Sequence, residues 1–269
     1  MNIKALRYYF NSLITLLRGL KNPGVMWTLL FKGSTSHPER VVLRNGLSFE
    51  IFSLMDLWVL KETILDRQYE KVSLALWDGW TIIDIGAALG DYSVWAAAQT
   101  PHGRLVAVEP YPPSVDLLRA NLKRNHITNA EVFSGAIASN SGSTTLAVED
   151  RRVVQNSTAN RALSDRKVSV ETLSLEDLLD RFRLDHCDYL KMDCEGGEYE
   201  ILFSTSAKTL THFDRICMEV HDGMTVHNRD EMAAYLEKAG YAVRIEVNPV
   251  HYELAYLYAE KTNLHEDHL

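Results

Sequence analysis

Thr81-Ile-Ile-Asp-Ile-Gly-Ala-Ala-Leu-Gly-Asp-Tyr-Ser93 decides how this chain is read. A short apolar run ends at Asp84, Gly86 and Gly90 bracket a bend of small residues, and a helical pattern starts at once. The order is strand, tight turn, helix N-terminus. Glycine takes the positive φ of such a turn and lets backbone approach a ligand closely. The unpaired N–H groups that open the helix favour an anionic or strongly polar group. Further on, Leu105-Val106-Ala107-Val108 stops at Glu109. A carboxylate at the end of that next strand accepts both hydroxyls of a ribose. Together the two segments describe a pocket for a nucleoside-containing cofactor.

Alternation of strand and helix extends outward from this stretch. Strands are expected over Thr81 to Ile85, Arg104 to Glu109, Glu131 to Ser134, Tyr189 to Met192 and Ile216 to Val220. Helices are expected over Asp91 to Gln99, from Pro113 to before Asn125, and from the Asn228/Glu231 cap to Gly240. Ser143 to Val148 and Lys167 to Thr172 read as extra strands, with Ser174 capping a helix to Phe182. Asp150 to Arg166 is polar and aperiodic and reads as a loop able to close over substrate. The last strands, Ala242 to Val247 and Glu253 to Ala259, lie too close in sequence for a parallel crossover, so they pair antiparallel. Before the core, Asn45-Gly46 predicts a hairpin over Arg40 to Phe52 with a type I′ turn. Asp56 to Leu65 then predicts a helix with Trp58 and Leu65 inward, covering one end of the pocket.

Three further segments join Asp84-Ile85-Gly86-Ala87 in one pattern: Val170-Glu171-Thr172-Leu173-Ser174-Leu175-Glu176-Asp177, Asp188-Tyr189-Leu190-Lys191-Met192-Asp193-Cys194-Glu195-Gly196-Gly197-Glu198, and Cys217-Met218-Glu219-Val220-His221. Over about Val41 to Ala259 the chain resembles the FkbM family of S-adenosylmethionine (SAM) dependent methyltransferases. That resemblance implies an α/β, class I Rossmann-like sheet, which the reversed last strand fits; the residue pattern adds an N-terminal helix and β-hairpin extension. It also implies methyl transfer to a hydroxyl of a sugar, polyketide or other natural product. The family usually carries Asn where this chain has Ala88. The domain expectation is a basic helical segment at 1–38, a covering hairpin and helix at 39–76, a SAM-binding domain at 77–262 and a polar tail at 263–269.

Ligands of open α/β sheets sit outside the carboxyl ends of the strands. This rule gives the expected cofactor residues: Asp84, Gly86, Ala87, Gly90 and Tyr92 at the methionine end, Glu109 at the ribose, Gly135 and Ala136 beside the adenine, and Asp193. A hydroxyl acceptor must lose a proton near the methyl. His221 is the first candidate base because an imidazole titrates near neutrality. Asp193, as base or as orienter of the base, and Glu195 complete the catalytic set. These carboxylates with Glu219 and His221 also suit a divalent cation such as magnesium, and whether a metal is used stays open. Glu195 and Glu198 equally suit a helix N-terminus, and Lys191 a carboxylate partner. An NAD-dependent oxidoreductase is the alternative; Ala88 at its second glycine position counts against that reading. A non-catalytic member that binds cofactor or a partner is a third.

Bulk composition bounds the rest. The chain has 269 residues and a formal net charge of −8. Residues 1–38 hold Lys4, Arg7, Arg18, Lys21 and Lys32 and no acid, so they carry +5 and the remainder −13. An acidic body argues against a nucleic-acid substrate. Cys187, Cys194 and Cys217 have no metal-ligand spacing and fit a reducing, cytoplasmic setting. No secretory signal is expected. Leu6, Phe10, Leu13, Leu17 and Leu20 form one apolar helical face. It suits docking on the body, contact with a second copy, or a peripheral membrane contact.

Overall fold

The computed structural model describes residues 3–33, 35–71, 76–147 and 167–264. The chain opens with α1 (Ile3–Gly19) and α2 (Gly24–Lys32). The hairpin of β1 (Glu39–Val42) and β2 (Ser48–Ile51) follows, then α3 (Leu54–Leu60), which runs into a π-helical turn over Lys61–Leu65. The core continues with β3 (Thr81–Ile85), α4 (Asp91–Gln99), β4 (Arg104–Glu109), α5 (Pro112–Arg124) and β5 (Ala130–Ser134). β6 (Ala136–Ile137), β7 (Gly142–Ala147) and β8 (Lys167–Leu173) make a separate three-stranded sheet. Then come α6 (Leu175–Phe182), β9 (Tyr189–Met192), α7 (Glu198–Ser204), α8 (Ala207–Leu210), β10 (Arg215–His221), α9 (Arg229–Lys238), β11 (Tyr241–Val247) and β12 (Leu254–Lys261).

The main sheet has the order β11-β12-β10-β9-β3-β4-β5. β3, β4, β5, β9 and β10 pair in parallel, whereas β12 runs antiparallel to both β10 and β11. The reversed last strand expected from the short β11–β12 link is therefore present. Side-chain alternation divides the sheet between two cores. Ile82, Leu105, Ala107, Tyr189 and Cys217 face the core that contains α4, α5, the hairpin and the N-terminal helices. Ile83, Ile85, Val106, Val108, Leu190, Met192 and Met218 face α6, α7 and α9 on the other side. Leu16, Leu20, Leu29, Val41, Phe49 and Leu57 share the first of these cores, so the N-terminal elements pack directly on the sheet.

Three local expectations change. In the hairpin only Gly46 takes a positive φ (101°), and its N–H donates to Leu43 O at 3.2 Å. With Leu43 N–H donating to Leu47 O at 2.8 Å, this is a type I turn with a glycine bulge, not type I′. Trp58 and Leu65 are half-buried rather than inward. Trp58 lies against the rings of Tyr8 and Tyr9, and Lys61 sits under Tyr8 and Trp58. The inward positions belong instead to Leu57, Leu60 and Ile64, which recur at three and four residues and so share one helical face that Trp58 lies off.

The third change concerns α1. Ser12, Leu16 and Leu20 at its end are buried, and Tyr8 above them donates to Glu62 Oε1 at 2.7 Å. Gly19 faces Leu65, whose methyl would meet an added Cβ at 2.4 Å. The body-facing stripe thus runs through positions 8, 12, 16 and 19–20. Leu6, Phe10, Leu13 and Leu17, the stripe with the clearest helical spacing, point away from the body. The expected 150–166 loop, and His265 and His268 of the tail, lie outside the described residues.

Candidate active site

One cleft of about 360 Å³ opens at the carboxyl ends of β3, β4, β9 and β10. Its volume is that of an ordinary small-molecule site. Because β10, β9, β3 and β4 are neighbours in the sheet, their ends line it as a row.

The β3–α4 turn forms one wall. Gly86 takes φ 77°, and a Cβ there would sit 1.8 Å from the Asp193 carbonyl oxygen. The Gly86 and Ala87 N–H groups both donate to Val108 O at 3.0 Å. Ala88 takes φ 44°, a left-handed conformation that Cβ disfavours. Its N–H donates to Glu109 Oε2 (2.9 Å), while Tyr111 N–H donates to Glu109 Oε1 (2.9 Å). The Glu109 carboxylate is thereby fixed at the cleft wall, each oxygen accepting one N–H and keeping capacity for a further donor. Burial pushes its pKa up to about 7, against the pull of the two N–H groups.

Several expected cofactor residues do not reach the cleft. Asp84 is fully buried beneath the turn, accepts from Ser93 Oγ at 2.6 Å and pairs with Lys191 Nζ at 3.0 Å. Lys191 also donates to Gly86 O at 2.9 Å, so the pair clamps β9 to the turn. Burial disfavours the Lys191 charge, but Asp84, Asp193 and Asp91 outweigh it and hold the ammonium protonated. Tyr92 is buried on the far side, its ring against Tyr69 and Tyr189, because the second helical position of α4 points into the first core. Gly90 abuts Leu118, and Gly135 is hemmed in by Phe133 and Glu171 O. Ala87 is buried in the first core and offers only backbone. Gly86, Glu109 and Ala136 line the cleft, as does Asp193.

The other wall is acidic. Asp193, Glu195 and His221 bring one ligand atom each within 4.8 Å of one another. Tyr69 Oη donates to Asp193 Oδ2 at 2.9 Å and lies 3.4 Å from Glu219 Oε2. His221 Nε2 is 3.7 Å from Glu195 Oε2, and Nδ1 is 3.6 Å from Glu198 Oε1. These are ion-pair rather than hydrogen-bond distances. Glu198 is fully buried and accepts from Cys194 N–H (2.6 Å) and Gly196 N–H (2.9 Å), so it stabilises the loop before α7 as expected of a helix N-terminus. That loop holds Glu195 at φ 53°, a strained conformation of the kind found at functional sites.

His221 does not titrate near neutrality. Burial works against its charge, but Glu198, Asp193 and Glu219 outweigh burial and lift its pKa to about 10. Burial and Asp193 push Glu195 up to about 7, and burial with the same aspartate pushes Glu219 up to about 8. At neutral pH the imidazole keeps its proton, Glu219 keeps most of its own, and Glu195 is the group near its midpoint.

Glu62, Tyr69 and Asp91 line the cleft without having been singled out from the sequence. Asp91 opens α4, accepts from Thr63 Oγ1 at 2.6 Å and is pushed up to about 6 by burial. An acid at the first turn of a helix is the signal that could have found it. Glu62 and Tyr69 carry no such signal: Glu62 is placed by the π turn, and Tyr69 by a short 3-10 turn over Gln68–Glu70 that follows it. The three thiols are buried or half-buried, free, and raised by burial, consistent with packing roles.

A family model described as the methyltransferase FkbM domain matches residues 84–243. The chain belongs to the FkbM methyltransferase family. Methyltransferase sdnD of Sordaria araneosa is 23% identical over 239 residues, covering 78% of this chain and 91% of that protein. AMB antimetabolite synthetase AmbE of Pseudomonas aeruginosa is 24% identical over 227 residues, 70% of this chain, and the chain spans only 11% of that protein's length. Methyltransferase FkbM from Methylobacillus flagellatus KT shares the fold, with a TM-score of 0.51 and 16% identity over 71% of this chain and 46% of that one. The reversed β12 and the family match favour methyl transfer over the oxidoreductase alternative.

Ala88 is where this FkbM chain strains its own turn. Asn tolerates the left-handed region better than Ala. Ala88→Asn is expected to raise stability by about 1 kcal/mol, or about 2–4 °C in Tm. A thermal melt measures it, and a Tm at or below the parent's contradicts the strain.

Proposed function

We propose that this chain moves the methyl group of S-adenosylmethionine to a hydroxyl oxygen of a small molecule, such as a carbohydrate, glycolipid or other natural product. The reading rests on one juxtaposition. The Gly86 turn and Glu109 stand at the ends of β3 and β4, and the Asp193–Glu195–His221 cluster at the ends of the adjoining β9 and β10. The residues suit the cofactor. Glu109 has carboxylate lone pairs free for ribose hydroxyls. Ile85, Val108, Ile137 and Leu146 offer an apolar wall for a base, and Asp91 offers a carboxylate for an amino group. Bound there, the sulfonium supplies a methyl already electrophilic toward oxygen.

The protein's own task is then positioning and proton removal. Holding acceptor and methyl in line contributes up to roughly 7–11 kcal/mol in favourable systems. Glu195 is the proposed base. Its pKa of about 7 matches the operating range, and its side chain is 42% exposed, the most open of the acidic wall's ion-paired groups. Protonated His221 pulls the Glu195 pKa down against the burial and the Asp193 charge that raise it, and Tyr69 orients Asp193. The convergence of Asp193, Glu195 and His221 favours a second reading, in which a divalent cation joins this wall and lowers the acceptor's pKa.

One assay tests both. Purified protein is incubated with SAM and a panel of glycans, glycolipids and polyketides, with chelator or with added magnesium or manganese. The expected outcome is S-adenosylhomocysteine release with an acceptor bearing one new O-methyl group. Activity lost in chelator and restored by metal selects the second reading; activity indifferent to both selects the first. Absence of heat with either SAM or S-adenosylhomocysteine in calorimetry of folded protein removes the proposal.

A further inference from the structure

The N-terminal helices carry a surface that the cleft chemistry leaves unexplained. On α1 the outward stripe of Leu6, Phe10, Leu13 and Leu17 is exposed, with Phe10 at 61%. On α2, Trp27 and Phe31 stack on one another and are 61% and 83% exposed, and Leu30 beside them is exposed too. Soluble monomers scatter such residues singly; here eight, Tyr9 among them, fall on two consecutive helices. The inward faces of both helices are already satisfied, by Ser12 and Leu16 on α1, with Leu20 just after it, and by Val25 and Leu29 on α2. The outward stripe is thus not a poorly packed version of the docking face.

Charge says what covers it. Residues 1–38 carry five cations and no anion, while the rest of the chain carries −13. Arg7, Arg18 and Lys21 are exposed beside the stripe. A two-fold dimer through this face would set each basic segment against its own copy, because an isologous contact joins identical patches. An anionic bilayer meets the same segment with opposite charge and accepts its apolar side chains. The strongly acidic body is repelled by that bilayer, so approach is favoured through this end alone. We propose that α1 and α2 seat the protein on the surface of an anionic lipid bilayer, with Leu6, Phe10, Leu13, Leu17, Trp27 and Phe31 inserted at the headgroup level. The helices lie on the surface and do not cross it: among the described residues no helix is long and apolar enough to span.

Seating also brings the cleft to the membrane. Met55 on α3 is exposed and lines the cleft, and α3 packs against α2. An acceptor whose hydrocarbon end stays in the bilayer would have its hydroxyl near this mouth.

Deleting the segment is a poor test, since Leu16 and Leu20 belong to the core. The full chain is instead floated with vesicles of phosphatidylcholine alone and of phosphatidylcholine mixed equally with phosphatidylglycerol. Two variants accompany it: Phe10→Ser with Leu13→Ser, and Arg7→Gln with Arg18→Gln and Lys21→Gln. All five positions are exposed, so an unchanged melt is expected for both. Binding is expected only to the anionic vesicles, reduced at least tenfold in each variant and weakened by added salt. Equal binding to neutral vesicles, or none to either, overturns the proposal. So does a dimer in light scattering that the Phe10→Ser, Leu13→Ser variant dissolves, which assigns the face to a second copy.

Discussion

Gly86→Ala is expected to lower the Tm by about 10 °C and to weaken SAM binding at least tenfold. The added Cβ would lie 1.8 Å from the Asp193 carbonyl oxygen. Neither side has room to retreat. Asp193 N–H donates to Ile85 O, and the Gly86 and Ala87 N–H groups both hold Val108 O, each at 3.0 Å. The residue also sits at φ 77°, which costs a non-glycine residue about 1–2 kcal/mol before any clash. A backbone-on-backbone conflict adds overpacking of about 1–3 kcal/mol, and at about 2–4 °C per kcal/mol for a chain this size the sum gives the expected shift. Gly90→Ala is the control. Its nearest neighbour is the end of the Leu118 side chain at 2.6 Å, which can swing aside, so its loss should be smaller. Scanning calorimetry and titration with SAM measure both. Parent-like values for Gly86→Ala would show that the turn does not press on β9 as described.

The second large effect is kinetic. His221→Gln is expected to cut turnover about 10²-fold or more while leaving the Kd for SAM within a few-fold. Loss of a protonated imidazole removes a cation from a wall of carboxylates. Glu195 and Glu219, already pushed up to about 7 and about 8, then rise further, because His221 lowers both in the parent. The sign of the pH effect follows. In the parent, activity should climb as pH passes 7 to 8, when the wall releases its protons, and fall near 10, when His221 loses its own. In the variant the climb moves to higher pH and the alkaline fall disappears. These limbs belong to the coupled cluster rather than to single residues. A profile whose acid limb stays in place would remove His221 from the electrostatics of the site.

Much of this was readable in the chain. β3, α4, β4 and β9 begin and end where periodicity and the glycine turn put them, since each is a short buried run closed by Gly, Pro or an acid. Glu109 was found at the cleft because position along a parallel strand fixes which end a residue occupies. Side-chain direction was harder. Asp84 and Tyr92 sit in the same motif as Gly86, yet one turns under the sheet to Lys191 and the other into the first core. Spacing alone does not separate a residue that braces a turn from one that faces a ligand. Glu62 and Tyr69 were invisible because their placement depends on an inserted helical residue and on contacts across the chain. The outward stripe of α1 left its neighbour open for a physical reason: apolar periodicity marks a face that leaves water, without saying for which partner.

The π turn has one more consequence. Its five residues touch three places at once. Lys61 lies under the α1 and α3 rings of Tyr8 and Trp58, Glu62 joins the Tyr8 hydroxyl to the cleft, and Thr63 holds Asp91. Two hydrogen bonds through this one turn thus tie α1 to both acids. Linkage then works in both directions: whatever shifts α1 would retune affinity inside the molecule, and filling the interior would alter how firmly α1 is held from outside by the same factor.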